Sequence, residues 1–417
     1  MRSFRKQSSV VATIISGLAV LPLFAEAIES QSASPKPAPL TLIGEQAVIS
    51  LVNTLLVFDH LVTRSTTAIS PDYLDRIAQP SSKFHDSYLE YQKDRISRAE
   101  IVRRLPHVAN IGDSLSKNFY ISSPASIFWR ARTERGRDWF LDTDPSPSSV
   151  FSLYERLDQV TPLVATEYST AGATVAPTHT PEHFTRRLAR THNFEGQINR
   201  VIEAKRFPDL ILIWIGHNNT QWLENTPEAD RKNPAKRLQQ IAKQFRSDYT
   251  EQLRTLIDRA RMQDHHVAIV IFGLADFKTF FESRREAAAL HATDPRLYPY
   301  YPASCQYFEA LQPAYQANTT KLGLMMNAEL KEMVADLNSE SSNDSNVRLQ
   351  YSDAFAKIDL SHLEGLHRND AWHPSVLGHN VLSETAFKAI GPSMKFLGIA
   401  QGPRKSAVLQ VARDRAR

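Results

Sequence analysis

The chain predicts an α/β fold in which a mostly parallel sheet is doubly wound between two layers of helices. Two observations carry that expectation. Leu210-Ile211-Leu212-Ile213-Trp214-Ile215 and Val267-Ala268-Ile269-Val270-Ile271-Phe272 are continuous apolar runs. A strand without a polar face suits a parallel sheet covered on both sides. Segments of helical periodicity separate the candidate strands, and this alternation defines a doubly wound domain.

The strands are expected at 108–111, 164–168, 210–215, 267–272 and 347–351, and the clearest helices at 239–262, 318–337 and 376–390. In such a fold the working residues collect in loops after the strand C-termini. The main domain is expected to span 105–400, with insertions at 119–162 and 277–313. The first insertion holds Trp129, Arg130, Arg132, Arg135, Arg137 and Trp139; the second holds Tyr298, Tyr300, Tyr301, Tyr307 and Phe308. Long loops on the rim of a site read as lids or substrate walls, although such aromatics equally pack a loop onto its own domain.

Ahead of the domain, residues 1–27 read as a secretory signal peptide. Arg2, Arg5 and Lys6 precede an apolar segment from Val10 to Phe24, and Ala25-Glu26-Ala27 fits the small-x-small cleavage rule. A retained membrane anchor is the alternative, but the apolar segment is short for a span. It contains no cysteine for lipid attachment. Residues 28–40 form a linker rich in Ser, Pro and Ala. Residues 41–104 form an N-terminal helical extension, opened by an apolar face of Val48, Leu51, Val52, Leu55, Leu56 and Val62. Residues 401–417 are a basic tail.

Charge excludes one class of function. The whole chain has 49 Lys and Arg against 45 Asp and Glu. Without Arg2, Arg5, Lys6 and Glu26 the balance is 46 against 44, a net of +2. Nucleic-acid binding would require a strong basic patch, so no nucleic-acid partner is expected. Cys305 is the only cysteine, so no disulfide forms within the chain.

Four short segments fall on the expected loops. Gly112-Asp113-Ser114-Leu115 ends the first strand, Gly172 follows the second, Gly216-His217-Asn218-Asn219 follows the third, and Asp370-Ala371-Trp372-His373-Pro374 precedes the last helix. An isolated Gly-Asp-Ser is an ordinary turn. Its weight comes from the set, which supplies what acyl transfer needs. Ser114 is the candidate nucleophile. A serine hydroxyl needs a base, and His373 is the candidate among fourteen histidines because Asp370 stands three residues earlier. Asp353, after the last strand, is the second candidate carboxylate. Backbone N–H groups of Ser114 and Gly172 and the Asn218 amide are the candidate oxyanion donors. Asp113 reads as a residue that ties down the nucleophile loop. Asn218-Asn219-Thr220 also matches an N-glycosylation pattern, which a catalytic amide makes accidental.

In this order and at these positions, the four segments resemble the GDSL, or SGNH, hydrolases. Gly378-His379 after His373-Pro374-Ser375 adds to the resemblance. It implies a three-layer, flavodoxin-like α/β/α fold and ester or thioester hydrolysis through an acyl-serine, with no metal or cofactor. Asn219 departs from the aspartate many members carry. Arg135-Gly136-x-x-Trp139, followed by Asp144 and residues 149–157, is similar to the insertion of phospholipase B-like GDSL lipases. That similarity points to lipid acyl esters and transient contact with a membrane surface. A carbohydrate O-acetyl esterase and an acyltransferase would use the same residues, and a binding module on this scaffold is the non-enzyme alternative. His265-His266, His362 with His367, and His373 with His379 are histidine pairs, but no His-Glu-x-x-His motif and no phosphate loop occur.

Overall fold

Strand β1 (Thr66–Ile69) opens the chain's sheet, at its edge. The structure, a computed structural model, describes residues 65–117, 119–121, 131–133, 137–143, 150–175, 193–220, 231, 233–300, 313–340, 346–361 and 364–399. The leader, the linker, the expected helix within 41–62, the basic tail, Trp129, Arg130 and Arg135 of the first insertion, and Cys305 lie outside them.

After β1 come β2 (His107–Gly112), β3 (Phe119–Ile121), β4 (Ala131–Thr133), β5 (Val164–Glu167), β6 (Leu210–Trp214), β7 (Val267–Phe272) and β8 (Val347–Ser352). Strands β3 and β4 pair with each other, and the other six form one sheet in the order β1-β5-β2-β6-β7-β8. From β5 to β8 every pairing is parallel. Counting from β2, the parallel strands run 2-1-3-4-5, the flavodoxin-like order. All five expected strands are present within a residue or two.

Every residue of β6 and β7 is buried. Successive side chains point to opposite faces, so both faces are covered. Helices Phe194–Ile202, Ala235–Arg261 and Pro313–Glu340 pack as one group, and Leu153–Asp158, Val376–Ala389 and Gly391–Phe396 as another. In Ala235–Arg261 the buried residues Leu238, Ile241, Ala242, Phe245, Tyr249, Leu253, Leu256 and Ile257 recur at three- and four-residue spacing, which is why a helix forms there. Ser375 caps Val376–Ala389 by accepting the Gly378 N–H at 3.2 Å.

The N-terminal extension departs from the purely helical reading. Its described part holds short helices at Tyr73–Ala78, His85–Gln92 and Arg98–Arg104, but Thr66–Ile69 is a strand antiparallel to β5. Two adjacent β-branched threonines favour extended backbone, and the strand covers the open edge of β5.

Within the described part of the first insertion, 119–121 and 131–133 form the β3–β4 pair, whereas residues 138–142 and most of 150–157 are buried in the core rather than forming a wall. Trp139, Phe140 and Leu141 are fully buried. The Trp139 ring meets Trp214, Phe272 and Phe355 edge-on, with centroids 5.2 to 6.5 Å apart. Its backbone N–H donates to His379 Nδ1 at 3.2 Å. Burial pushes His379 well below its ordinary pKa, helped by the charges of His367 and His373. The ring is therefore a neutral acceptor. Phe151 N–H donates to Asn380 Oδ1 at 2.8 Å and Arg156 Nε to Ser383 Oγ at 2.8 Å, so the insertion is fastened to the last long helix.

Candidate active site

Ser114 stands where β2 ends, at the start of a 3-10 turn, Ser114–Ser116. Asp113 caps that turn by accepting the Leu115 N–H on Oδ1 at 3.0 Å. Gly112 is required by close approach: a Cβ there would lie 2.1 Å from Ser116 Oγ and 2.8 Å from Ser169 Oγ. The Gly112 backbone is clamped from both sides by the buried Gln197, whose Oε1 accepts its N–H at 2.9 Å and whose Nε2 donates to its carbonyl at 2.8 Å. These contacts tie the Ser114 turn down on the end of β2.

The candidate base, His373, comes from a turn 259 residues further along the chain. His373 Nε2 lies 3.1 Å from Ser114 Oγ, and His373 Nδ1 lies 2.9 Å from Asp370 Oδ2. Asp370 Oδ1 accepts the backbone N–H groups of Trp372 at 3.0 Å and His373 at 3.1 Å. Asp370 is fully buried. Burial alone would raise its pKa. The adjacent His373, by charge and by hydrogen bond, overcomes that and holds it below the ordinary carboxylate value. The carboxylate is therefore ionised beside the imidazole.

The turn between them is strained. Ala371 has a φ of 47°, a conformation uncommon outside glycine. Ala371 N–H is tied to the His367 carbonyl at 2.7 Å, and Arg284 Nη1 donates to the Asp370 carbonyl at 2.9 Å. Arg284 is buried on helix Phe277–Thr293, with the Trp372 ring 5.8 Å away. Phe280 stacks obliquely on the same ring at 4.7 Å. Part of the second insertion therefore serves to hold the histidine turn. Asp353, the second candidate carboxylate, pairs instead with Lys357 at 2.7 Å on the surface.

The donors converge from two further strand ends. Gly172 has a φ of 75°, the left-handed region that an L side chain occupies at a cost. Among the described residues, neither its N–H nor that of Ser114 donates to another protein group. Asn218 stands in the 3-10 turn His217–Thr220 after β6, and one N–H of its amide donates to the Ala173 carbonyl at 2.8 Å. An amide carries two such hydrogens, so the second remains for a ligand. Asn219 Oδ1 accepts the Val175 N–H at 3.0 Å. A carboxylate oxygen would make the same contact, and the departure from aspartate therefore keeps this tether.

Three residues here had no role assigned from the sequence. His217, buried, sits between Asp113 and the loop after β7: its Nδ1 lies 2.8 Å from Asp113 Oδ2, and its Nε2 accepts the Ala275 N–H at 3.2 Å. Glu167, at the end of β5, accepts from Asn110 Nδ2 at 3.0 Å and from the Ser169 N–H at 2.6 Å. Burial raises its pKa. Asp138 is raised well above its ordinary value by burial and then by the charge of Glu167. Glu167 lies outside the four segments, and Asp138 fills an unspecified position between Gly136 and Trp139. Among the described residues no group of three His, Cys, Asp or Glu side chains is placed to hold a metal ion.

Fold and site together define a class, hydrolases on a flavodoxin-like α/β/α sheet that bring a serine and a histidine together from separate loops. Residues 108–386 match the family described as GDSL-like Lipase/Acylhydrolase, and the chain belongs to that family. It is a serine hydrolase acting on ester bonds. Among solved structures, a catalytic mutant of Axe2, an acetylxylan esterase from Geobacillus stearothermophilus, is similar at 16% identity. Its TM-score is 0.31, over 69% of this chain and 94% of that one. Another mutant of Axe2, an acetyl-xylooligosaccharide esterase, is similar at 15% identity and a TM-score of 0.30, over 72% and 97%. No curated protein matches the chain.

Proposed function

We propose that the chain hydrolyses lipid acyl esters through an acyl-serine formed on Ser114. The observation that carries the acyl-serine is the unbroken path Ser114 Oγ–His373 Nε2, His373 Nδ1–Asp370 Oδ2, at 3.1 and 2.9 Å. The Ser114 hydroxyl gives its proton to Nε2 as Oγ attacks the ester carbonyl. Asp370 keeps the other ring proton on Nδ1 and stabilises the imidazolium. The tetrahedral oxyanion takes hydrogen bonds from the Ser114 and Gly172 N–H groups and the second Asn218 amide hydrogen. Nε2–H then protonates the departing alcohol, and water repeats the sequence to free the acid.

Support for a lipid substrate comes from Arg135-Gly136-x-x-Trp139, followed by Asp144 and residues 149–157, similar to the insertion of phospholipase B-like lipases. The leader pattern of residues 1–27 supports export, with cleavage after Ala27. Among the described residues no helix is long and apolar enough to cross a membrane.

Hydrolysis of acetyl and long-chain nitrophenyl esters, beside Ser114→Ala, tests the proposal. Serine-dependent turnover that favours long chains is expected, followed by release of fatty acid from phospholipid vesicles. Turnover of acetate alone would replace the lipid reading with a short-acyl esterase. Full activity in Ser114→Ala would remove Ser114 from the chemistry. N-terminal sequencing of the protein after secretion is expected to begin at Ile28.

A further inference from the structure

A second buried Asp–His couple lies beside the first. Asp113 and His217 are both withdrawn from solvent. The Ala275 N–H points at His217 Nε2, so that nitrogen holds a lone pair and the ring proton sits on Nδ1, facing Asp113 Oδ2. The ring is a neutral tautomer fixed at both ends. Its far nitrogen is occupied by a backbone donor, so it cannot serve as a base in the way His373 does.

What the couple does follows from its attachments. Asp113 Oδ1 caps the turn that carries Ser114. Asp113 Oδ2 accepts from His217 twice, from the ring at 2.8 Å and from the backbone N–H at 3.3 Å. The next residue is Asn218, whose amide is hinged on the Ala173 carbonyl beside Gly172. One carboxylate thereby joins the nucleophile turn to the turn that bears the amide donor, and the imidazole extends the tie to the loop after β7. The Trp214 ring, 4.9 Å away and edge-on, closes the side of the imidazole. A buried carboxylate is tolerated only when its hydrogen bonds are complete, so the tie is stiff.

We propose that His217 is a positioning residue: through its ring bond to Asp113 it sets where the Asn218 amide stands relative to Ser114, and so shapes the oxyanion site. This rests on the functional reading above, in which Ser114 is the nucleophile and Asn218 a donor.

The test uses two variants of the full chain and a double-mutant cycle. In His217→Asn the amide nitrogen takes the place of Nδ1 and keeps the bond to Asp113. In His217→Gln the side chain reaches toward Ala275 and leaves Asp113 Oδ2 short of its ring donor. A displacement of about 1 Å in an active site costs on the order of a hundredfold. His217→Gln is therefore expected to lose roughly tenfold to a hundredfold in kcat with KM within about threefold. His217→Asn is expected to stay within about threefold of the parent, by the same reasoning. Since the effect runs through Asn218, His217→Gln combined with Asn218→Ala should be no more than about twofold slower than Asn218→Ala alone.

Equal losses in the two variants, or losses that multiply with Asn218→Ala, overturn the proposal, because a merely structural role acts independently of the donor. If His217→Gln does not fold, His217→Asn carries the test by the same cycle: a loss as large as that of Asn218→Ala, multiplying with it, overturns the proposal. Ser114→Ala measured alongside separates the failures. Retained turnover there sinks the functional reading, whereas its loss with multiplicative His217 effects sinks only this inference.

Discussion

Replacing Asp370 by asparagine changes one atom, and the structure dictates which way the new amide must face. Oδ1 accepts two backbone N–H groups, from Trp372 and His373. An amide nitrogen there would confront two donors, so the amide oxygen keeps that position and its NH2 turns toward His373 Nδ1. Nδ1 must then accept, and the ring proton moves to Nε2, which faces Ser114 Oγ at 3.1 Å. In that tautomer the base has no lone pair for the serine proton. A second loss adds to the first. A unit charge at roughly 4 Å in a medium of effective dielectric about 20 is worth ~4 kcal/mol, and the imidazolium formed during attack loses it. At about 1.36 kcal/mol per tenfold, that term alone approaches a thousandfold. With the wrong tautomer the loss in kcat reaches about ten-thousandfold, the size known for this exchange in a serine–histidine–aspartate triad. Initial rates on a nitrophenyl ester for Asp370→Asn and the parent protein measure it directly. The fold should survive, because the backbone contacts of Oδ1 are retained. A loss of less than tenfold in folded protein would refute the reasoning from tautomer and charge.

Two other perturbations follow from the same geometry. Gly172→Ala forces a side chain into a φ of 75°. It should cost about 1–2 kcal/mol of stability, read by thermal unfolding, and should lower kcat as its N–H shifts; an unchanged melting temperature would show that the turn relaxes freely. Asp138, whose carboxyl is pushed well above its ordinary pKa by burial and then by the charge of Glu167, has a folded pKa above its unfolded one. Its contribution to stability is full below the unfolded pKa and declines as pH rises toward the folded value. Asp138→Asn, which stays neutral, should therefore lose less stability than the parent as pH rises above about 4 in urea unfolding; parallel curves would contradict the raised pKa.

The parts of the fold that could be read from the sequence are those where one physical demand acts alone. β6 and β7 stood out because both of their faces are buried, leaving no polar residue to interrupt the run. β1 did not, because it is four residues long, alternates in exposure and lies at an edge. Asp370 was legible as a partner of His373 because a three-residue spacing brings both to one turn. His217 was not, because its partners Asp113 and Ala275 lie 104 and 58 residues away, and only the closed sheet makes them neighbours. Trp139 was legible as an aromatic in an insertion, yet its place in the core depends on Trp214, Phe272 and Phe355, which arrive from three other segments.

Ser114 and His373 are 259 residues apart in the chain. During synthesis the nucleophile emerges long before its base, and β6, β7 and β8 must all be laid down before the histidine turn has anything to rest on. A partly made chain carries an ordinary serine, with a hydroxyl no more reactive than that of any other alcohol in water. On the reading of Ser114 as nucleophile, turnover requires the histidine turn that leads into the last long helix, so the appearance of turnover during refolding would mark the docking of that helix.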